Sequence, residues 1–204
     1  MNYSALPLSR QHVSILVLVI LLAILSFALD YTCGNSFTHL FVYQRELIST
    51  GEIWRLFSGH FLHTNFYHLL LNLAALVLLW CLHGRFYQRA SFITLFILCS
   101  LTTSLGMYYF SPNLQQYVGL SGVLHGIFIF GAIMDIYAKE KTGYLLFIGV
   151  WLKIAHEQIY GASTDVSNLI EANVAVDAHL WGALGGLLFT LSYLVYLYNI
   201  KKSQ

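Results

Sequence analysis

Runs free of Asp, Glu, Lys and Arg dominate the chain, and their lengths predict its architecture. Gln11–Leu29 is one such run. A bilayer core takes about 20 mostly apolar residues in a helix, so this run is long enough to cross. Leu56–Gly84 is longer, but its first part, Ser58–Asn65, is polar and His-rich, which moves the predicted helix start to near Phe66. Ala90–Met134 is long enough for two crossings and breaks at the turn-like segment Ser111–Gln116. Ala178–Ile200 is another run. Thr142–Leu152 is too short alone, but continued past Lys153 to Tyr160 it makes a less apolar span. The pattern predicts an all-α membrane protein with six transmembrane helices, at about 11–29, 66–84, 90–110, 119–137, 143–160 and 178–200. No internal repeat or low-complexity tract divides the chain, so residues 1–204 are expected to form one domain.

Composition supports this reading. The chain is 58% hydrophobic and only 9% charged, against about 25% charged in soluble domains. Disorder requires the opposite balance, and a net charge of +1 offers no field for nucleic acid. Six spans put both termini on one side. If that side is cytoplasmic, Arg10, Arg85, Arg89, Lys139, Lys141, Lys201 and Lys202 lie inside and Arg45 and Arg55 outside, which satisfies the positive-inside rule. The first apolar segment is long and lacks a small-residue cleavage site, so it reads as a retained span. Cys33, Cys81 and Cys99 have no metal-ligand spacing, and Cys33 and Cys81 fall near opposite faces. Cys81 and Cys99 read as packing residues.

Polar groups inside a bilayer are costly and are functional candidates by default. Three clusters share the outer depth. His68 and Asn72 lie at i, i+4 on one helical face; they are either donors in a site or glue between helices. Gly119-Leu-Ser121-Gly122 opens span four. Its glycines suit an exposed nucleophile with a usable N–H, or a helix start whose serine bonds its own backbone. Ala178-His179 opens span six, with Gly182 and Gly186 on the face of His179. Gly122 and Gly126 form a matching small-residue seam on span four. Two such seams would bring those spans backbone to backbone and Ser121 close to His179. A histidine can take the proton that makes serine a nucleophile. The Ser121 N–H with His68 and Asn72 could then hold the oxyanion.

These motifs resemble those of rhomboid intramembrane serine proteases. Gly119-x-Ser121-Gly122, His68-x-x-x-Asn72 and Ala178-His179-x-x-Gly182-x-x-x-Gly186 occur in the family's order. Glu52-Ile-Trp54-Arg55-Leu-Phe57 through His63 resembles the family's first external loop. The resemblance implies a rhomboid-like six-helix bundle over about Gly51–Tyr193 and a catalytic dyad of Ser121 and His179. It further implies an oxyanion hole of His68, Asn72 and the Ser121 amide, with no carboxylate third member, no metal and no cofactor. Where the family usually has a tyrosine four residues after the serine, this chain has His125. That variant resembles the rhombosortase branch, which implies bacterial surface-protein substrates carrying a C-terminal Gly-Gly motif, an apolar span and a basic tail. It also implies a bacterial inner-membrane location with the site open to the periplasm. His125, Gly119 and Gly122 are expected to support the dyad. His125 would pack against His179 and could fix its tautomer by a hydrogen bond, although its i, i+4 relation to Ser121 also makes it a rival base.

Other features also bear on the chemistry. His156-Glu157 begins a zinc motif, but residue 160 is Tyr, so H-E-x-x-H fails. Lys153 and Glu157 read as an intramembrane ion pair or as a polar lining where substrate enters. Asp177 reads as a cap on span six, and His60 and His63 as hydrogen-bonding anchors of the first external loop. Two other functions fit the composition. A rhomboid-like pseudoprotease would bind membrane helices without cutting them, and would lack Ser121 or His179. A proton-relay transporter would carry polar residues through the whole bilayer. Here, Asp135 apart, they concentrate in the outer half. The partners expected are membrane-anchored protein substrates and the lipid bilayer.

Overall fold

The computed structural model describes residues 10–34 and 36–203. The chain ends, which the sequence assigns to the cytoplasmic side, lie outside that range at Met1–Ser9 and Gln204. Among the described residues, six helices have seventeen residues or more: α1 (Arg10–Thr32), α5 (Phe66–His83), α6 (Arg89–Phe110), α7 (Ser121–Tyr137), α8 (Thr142–Tyr160) and α10 (Val176–Lys202). Four of them, α1, α5, α6 and α10, are long and apolar enough to cross a bilayer. Helix α7 has 17 residues, about 25 Å at 1.5 Å per residue, shorter than a bilayer core of about 30 Å. Helix α8 has 19 residues but carries Lys153, His156 and Glu157.

The packing explains why α7 can be short. It lies at the centre, against α5, α6, α8 and α10, with Val123, Ile127, Ile129 and Ala132 fully buried. Leu120, Gly122 and Val123 are buried at its N-terminal end, so the irregular backbone leading into it need not face lipid. The outer helices turn large apolar side chains outward: Leu18, Leu21 and Leu25 on α1, Leu71 and Leu78 on α5, Leu145 and Leu152 on α8, Leu188 and Val195 on α10. An apolar surface this extensive suits hydrocarbon rather than water.

The connection from α1 to α5 is more structured than its polar sequence suggests. It forms α2 (Ser36–Phe41), α3 (Arg45–Ser49), α4 (Arg55–Ser58) and a 3₁₀ turn at Gly59–Phe61. Strand β1 (Tyr43–Gln44) pairs antiparallel with β2 (Gln116–Tyr117), a two-residue exception to the all-α expectation. Two arginines bind this region together. Arg45 donates to the carbonyls of Met107, Tyr108, Ser111 and Leu114, so it closes the C-terminal end of α6, where helical carbonyls lack partners. Buried Arg55 donates to His39 and Val42 carbonyls and pairs with Glu52 at 2.6 Å. The connection from α8 to α10 contains α9 (Thr164–Ile170). Its end is tied to the start of α5 by Thr64 Oγ1 donating to the Ile170 carbonyl and Asn65 Nδ2 to that of Leu169.

Candidate active site

Ser121 is the first residue of α7, so its N–H belongs to the turn that has no intrahelical acceptor. The loop before it is built around Gly119. That glycine has φ +118°, and a Cβ there would meet His68 Nε2 at 2.7 Å. Both facts require glycine: L side chains rarely adopt that φ, and there is no room for one. The Gly119 N–H donates to the Gly59 carbonyl. Tyr117 completes the turn, its hydroxyl donating to the Gly119 carbonyl at 2.6 Å and accepting from the Gly122 N–H at 3.3 Å. Tyr117 was not legible in the sequence, because a tyrosine four residues before the serine has no meaning until the turn is known.

His179 reaches Ser121 from α10. Its Nε2 lies 3.1 Å from Ser121 Oγ. The approach depends on the glycine seams of α7 and α10. A Cβ at Gly126 would lie 2.5 Å from the Gly182 carbonyl oxygen, and one at Gly122 2.8 Å from that of Ala178. Cβ atoms at Gly182 and Gly186 would strike the carbonyls of Gly122 and Gly126. The obstacles are backbone atoms, which cannot rotate away.

His68 and Asn72 lie on the other side of the serine turn, both buried on α5. Asn65 caps that helix, its side chain accepting from the His68 N–H at 2.9 Å. His68 Nδ1 faces Thr64, 3.4 Å from the amide nitrogen and 3.1 Å from Oγ1, which leaves Nε2 directed at Gly119. Asn72 donates one N–H to the His68 carbonyl at 3.2 Å and places the same nitrogen 3.7 Å from a Cβ built on Gly119. Thus His68 and Asn72 share the space beside the loop that presents Ser121.

His125 stacks on His179, with ring centroids 4.1 Å apart and planes 18° from parallel. It makes no hydrogen bond to that ring. Its Nδ1 is 2.7 Å from the Ser121 carbonyl oxygen and its Nε2 is 3.2 Å from Lys153 Nζ. The partner of His179 Nδ1 is Glu157 Oε2, at 2.8 Å, while Glu157 Oε1 pairs with Lys153 at 2.6 Å. The hydrogen bond to the His179 ring therefore comes from α8 rather than from His125, and it places a carboxylate beside a pair for which no carboxylate third member is expected. Sequence spacing revealed the Lys153–Glu157 pair within one helix, but not its approach to another.

Three smaller expectations are also corrected. Asp177 does not cap α10: the N-cap is Ala175, and Asp177 sits in the first turn, where a carboxylate still favours the positive helix end. His60 bonds the Ser100 carbonyl and Ser104 Oγ at 3.1 Å each. His63 instead packs edge-on to His68, centroids 5.0 Å apart. Cys81 is exposed, unlike Cys99, and all three cysteines are unpaired.

The Rhomboid domain family matches residues 50–196, a stretch that includes His68, Asn72, Ser121, His125, Glu157 and His179. The chain belongs to the rhomboid family. Rhomboids are serine proteases of membranes, and membership supports intramembrane protease activity and membrane-protein substrates for this chain. The chain is also similar to "Putative rhomboid protease YdcA" of Bacillus subtilis (strain 168), 28% identical over 150 residues, covering 72% of this chain and 69% of that protein. The rhomboid match begins just before α4, so α1 lies outside it.

Proposed function

We propose that this rhomboid is a six-span intramembrane serine endopeptidase in which Ser121 is the nucleophile and His179 its base. The observation that carries this reading is the 3.1 Å approach of His179 Nε2 to Ser121 Oγ across a seam with no room for side chains. His179 takes the Oγ proton as Oγ bonds the scissile carbonyl carbon. The resulting oxyanion is held by the Ser121 N–H, His68 Nε2 and Asn72 Nδ2. His179 then gives its proton to the leaving amine, and water repeats the sequence on the acyl-enzyme. Gly119 and Gly122 shape the turn, and His125 supports the His179 ring by stacking. The dyad geometry weighs against a pseudoprotease that only binds membrane helices.

In this reading α7 and α8 complete the six crossings, both termini are cytoplasmic, and the site opens to the periplasmic side of a bacterial inner membrane. His125 in place of tyrosine supports a rhombosortase-like branch acting on surface proteins with Gly-Gly sorting tails. The test is coexpression with single-span substrates that do or do not carry such a tail, with mass spectrometry of the new C-termini. Wild type should cut, and Ser121→Ala, His179→Ala and the double variant should be equally inactive, because members of one catalytic unit are non-additive. Cleavage by Ser121→Ala would contradict the nucleophile. Equal cutting of tailed and untailed substrates would contradict the branch.

A further inference from the structure

Glu157 has one oxygen on Lys153 and the other on His179, a division that a simple ion pair on one helix does not require. We propose that Glu157 is a carboxylate positioning residue for His179, making the site a Ser121–His179–Glu157 relay whose charge is balanced by Lys153. The proposal rests on the serine-protease reading above.

The tautomers follow from the donors. An ionised carboxylate can only accept hydrogen bonds. Its 2.8 Å contact therefore places the proton of neutral His179 on Nδ1. Nε2 is then left with the lone pair that faces Ser121 Oγ at 3.1 Å. When the Oγ proton moves to Nε2, the imidazolium forms beside a fixed negative charge, and Glu157 stays ionised throughout. Lys153 fixes the second histidine by the same logic. Its ammonium donates to His125 Nε2, so the His125 Nδ1–H donates to the Ser121 carbonyl. Both His125 nitrogens are thereby occupied, and His125 cannot compete as base.

A carboxylate in this setting needs a counter-charge, and Lys153 supplies it one helical turn earlier at 2.6 Å. The donor atoms of His125, Glu157 and His179 also lie within 4.8 Å of one another, close enough to hold a metal ion. The Lys153 ammonium already bonds two of those three residues, so the cation of this cluster is the lysine.

The experiment uses the full chain in proteoliposomes with a single-span substrate. Glu157→Gln should lower kcat about 10²-fold or more, as expected when a relay carboxylate is replaced and the wrong tautomer is favoured, with KM within about twofold because the group touches no substrate. Glu157→Asp should recover part of the loss. Nitrogen-15 NMR of histidine-labelled protein provides a readout independent of activity, and its wild-type arm does not depend on how a variant folds. In wild type and in Ser121→Ala, His179 should be the Nδ1-protonated tautomer, shifting towards the Nε2-protonated form in Glu157→Gln. A wild-type His179 protonated on Nε2 would overturn the proposal. So would a Glu157→Gln enzyme within about threefold of wild type while Ser121→Ala is inactive. Activity in Ser121→Ala would instead overturn the serine-protease reading, and this inference with it.

Discussion

The two histidines that meet above Ser121 differ in what their nitrogens are free to do. His179 presents Nε2 to the hydroxyl, whereas His125 has one nitrogen on a carbonyl and the other on an ammonium. In our account His125→Tyr should keep partial activity, since a phenol ring can replace the stacking, while His179→Tyr should have none. Steady-state cleavage rates of the two variants check this, and the reverse ranking would exchange the roles. Asn72 is argued to act on charge that develops only during reaction. Asn72→Ala should therefore lower kcat, by about 10²-fold if it behaves like other oxyanion donors, with little change in KM. A change confined to KM would leave Asn72 as a packing residue on α5. The serine, the histidines and Asn72 were legible from the sequence because each stands out against an apolar background. The approach of Glu157 to His179 was not, because a contact between helices leaves no trace in spacing along one helix.

At the scale of elements, the seam between α7 and α10 sets the distance across the site. Gly182→Ala would drive a methyl into the Gly122 carbonyl, forcing the helices apart. The expected cost is about 1–3 kcal/mol of stability and loss of cleavage, read by thermal unfolding in detergent and by activity. Gly149→Ala on α8 is the internal control. Its Cβ would meet nothing within 4 Å, and alanine favours helix by up to about 1 kcal/mol, so stability should hold or rise. The seam was legible because small residues at four-residue spacing on two segments point to close approach. The elements of the two long connections, α1 to α5 and α8 to α10, were not. Helices α2–α4 and α9 are short, and side chains from distant segments tie them down, Arg45 on the end of α6 and Thr64 on Ile170 among them. Local pattern carries no such information. Asp177 was misread for a related reason: an acidic residue near a helix start marks the first turn as well as the cap.

For the whole molecule, the buried histidines His60 and His63 make stability depend on pH. Burial lowers His60 to about 4 from its ordinary 6.5, and burial together with neighbouring His68 lowers His63 to about 3. Both histidines are therefore neutral in the fold but bind protons below about 6.5 when unfolded. Their contribution is complete above that pH and is lost as pH falls towards 4, at up to about 1.4 kcal/mol per pH unit for each group. The unfolding temperature should be level above pH 7 and fall between 6.5 and 4, with a shallower fall in His63→Gln. A level profile in wild type would contradict the burial. The six-span topology is testable at the same scale. With Cys33 as the single cysteine, a membrane-impermeant maleimide should label intact spheroplasts, whereas Lys202→Cys in a background without the native cysteines should label only after permeabilisation. Labelling of both before permeabilisation would contradict an even number of spans with cytoplasmic ends.

The central claim is that α7 and α10 together make Ser121 a nucleophile, and covalent capture measures this most directly. The purified chain should react with a fluorophosphonate, and peptide mapping should place the adduct on Ser121. His179→Ala, with the serine still present, should react only at the background rate of an ordinary hydroxyl. An adduct on another serine, or labelling of Ser121 that does not depend on His179, would contradict the account.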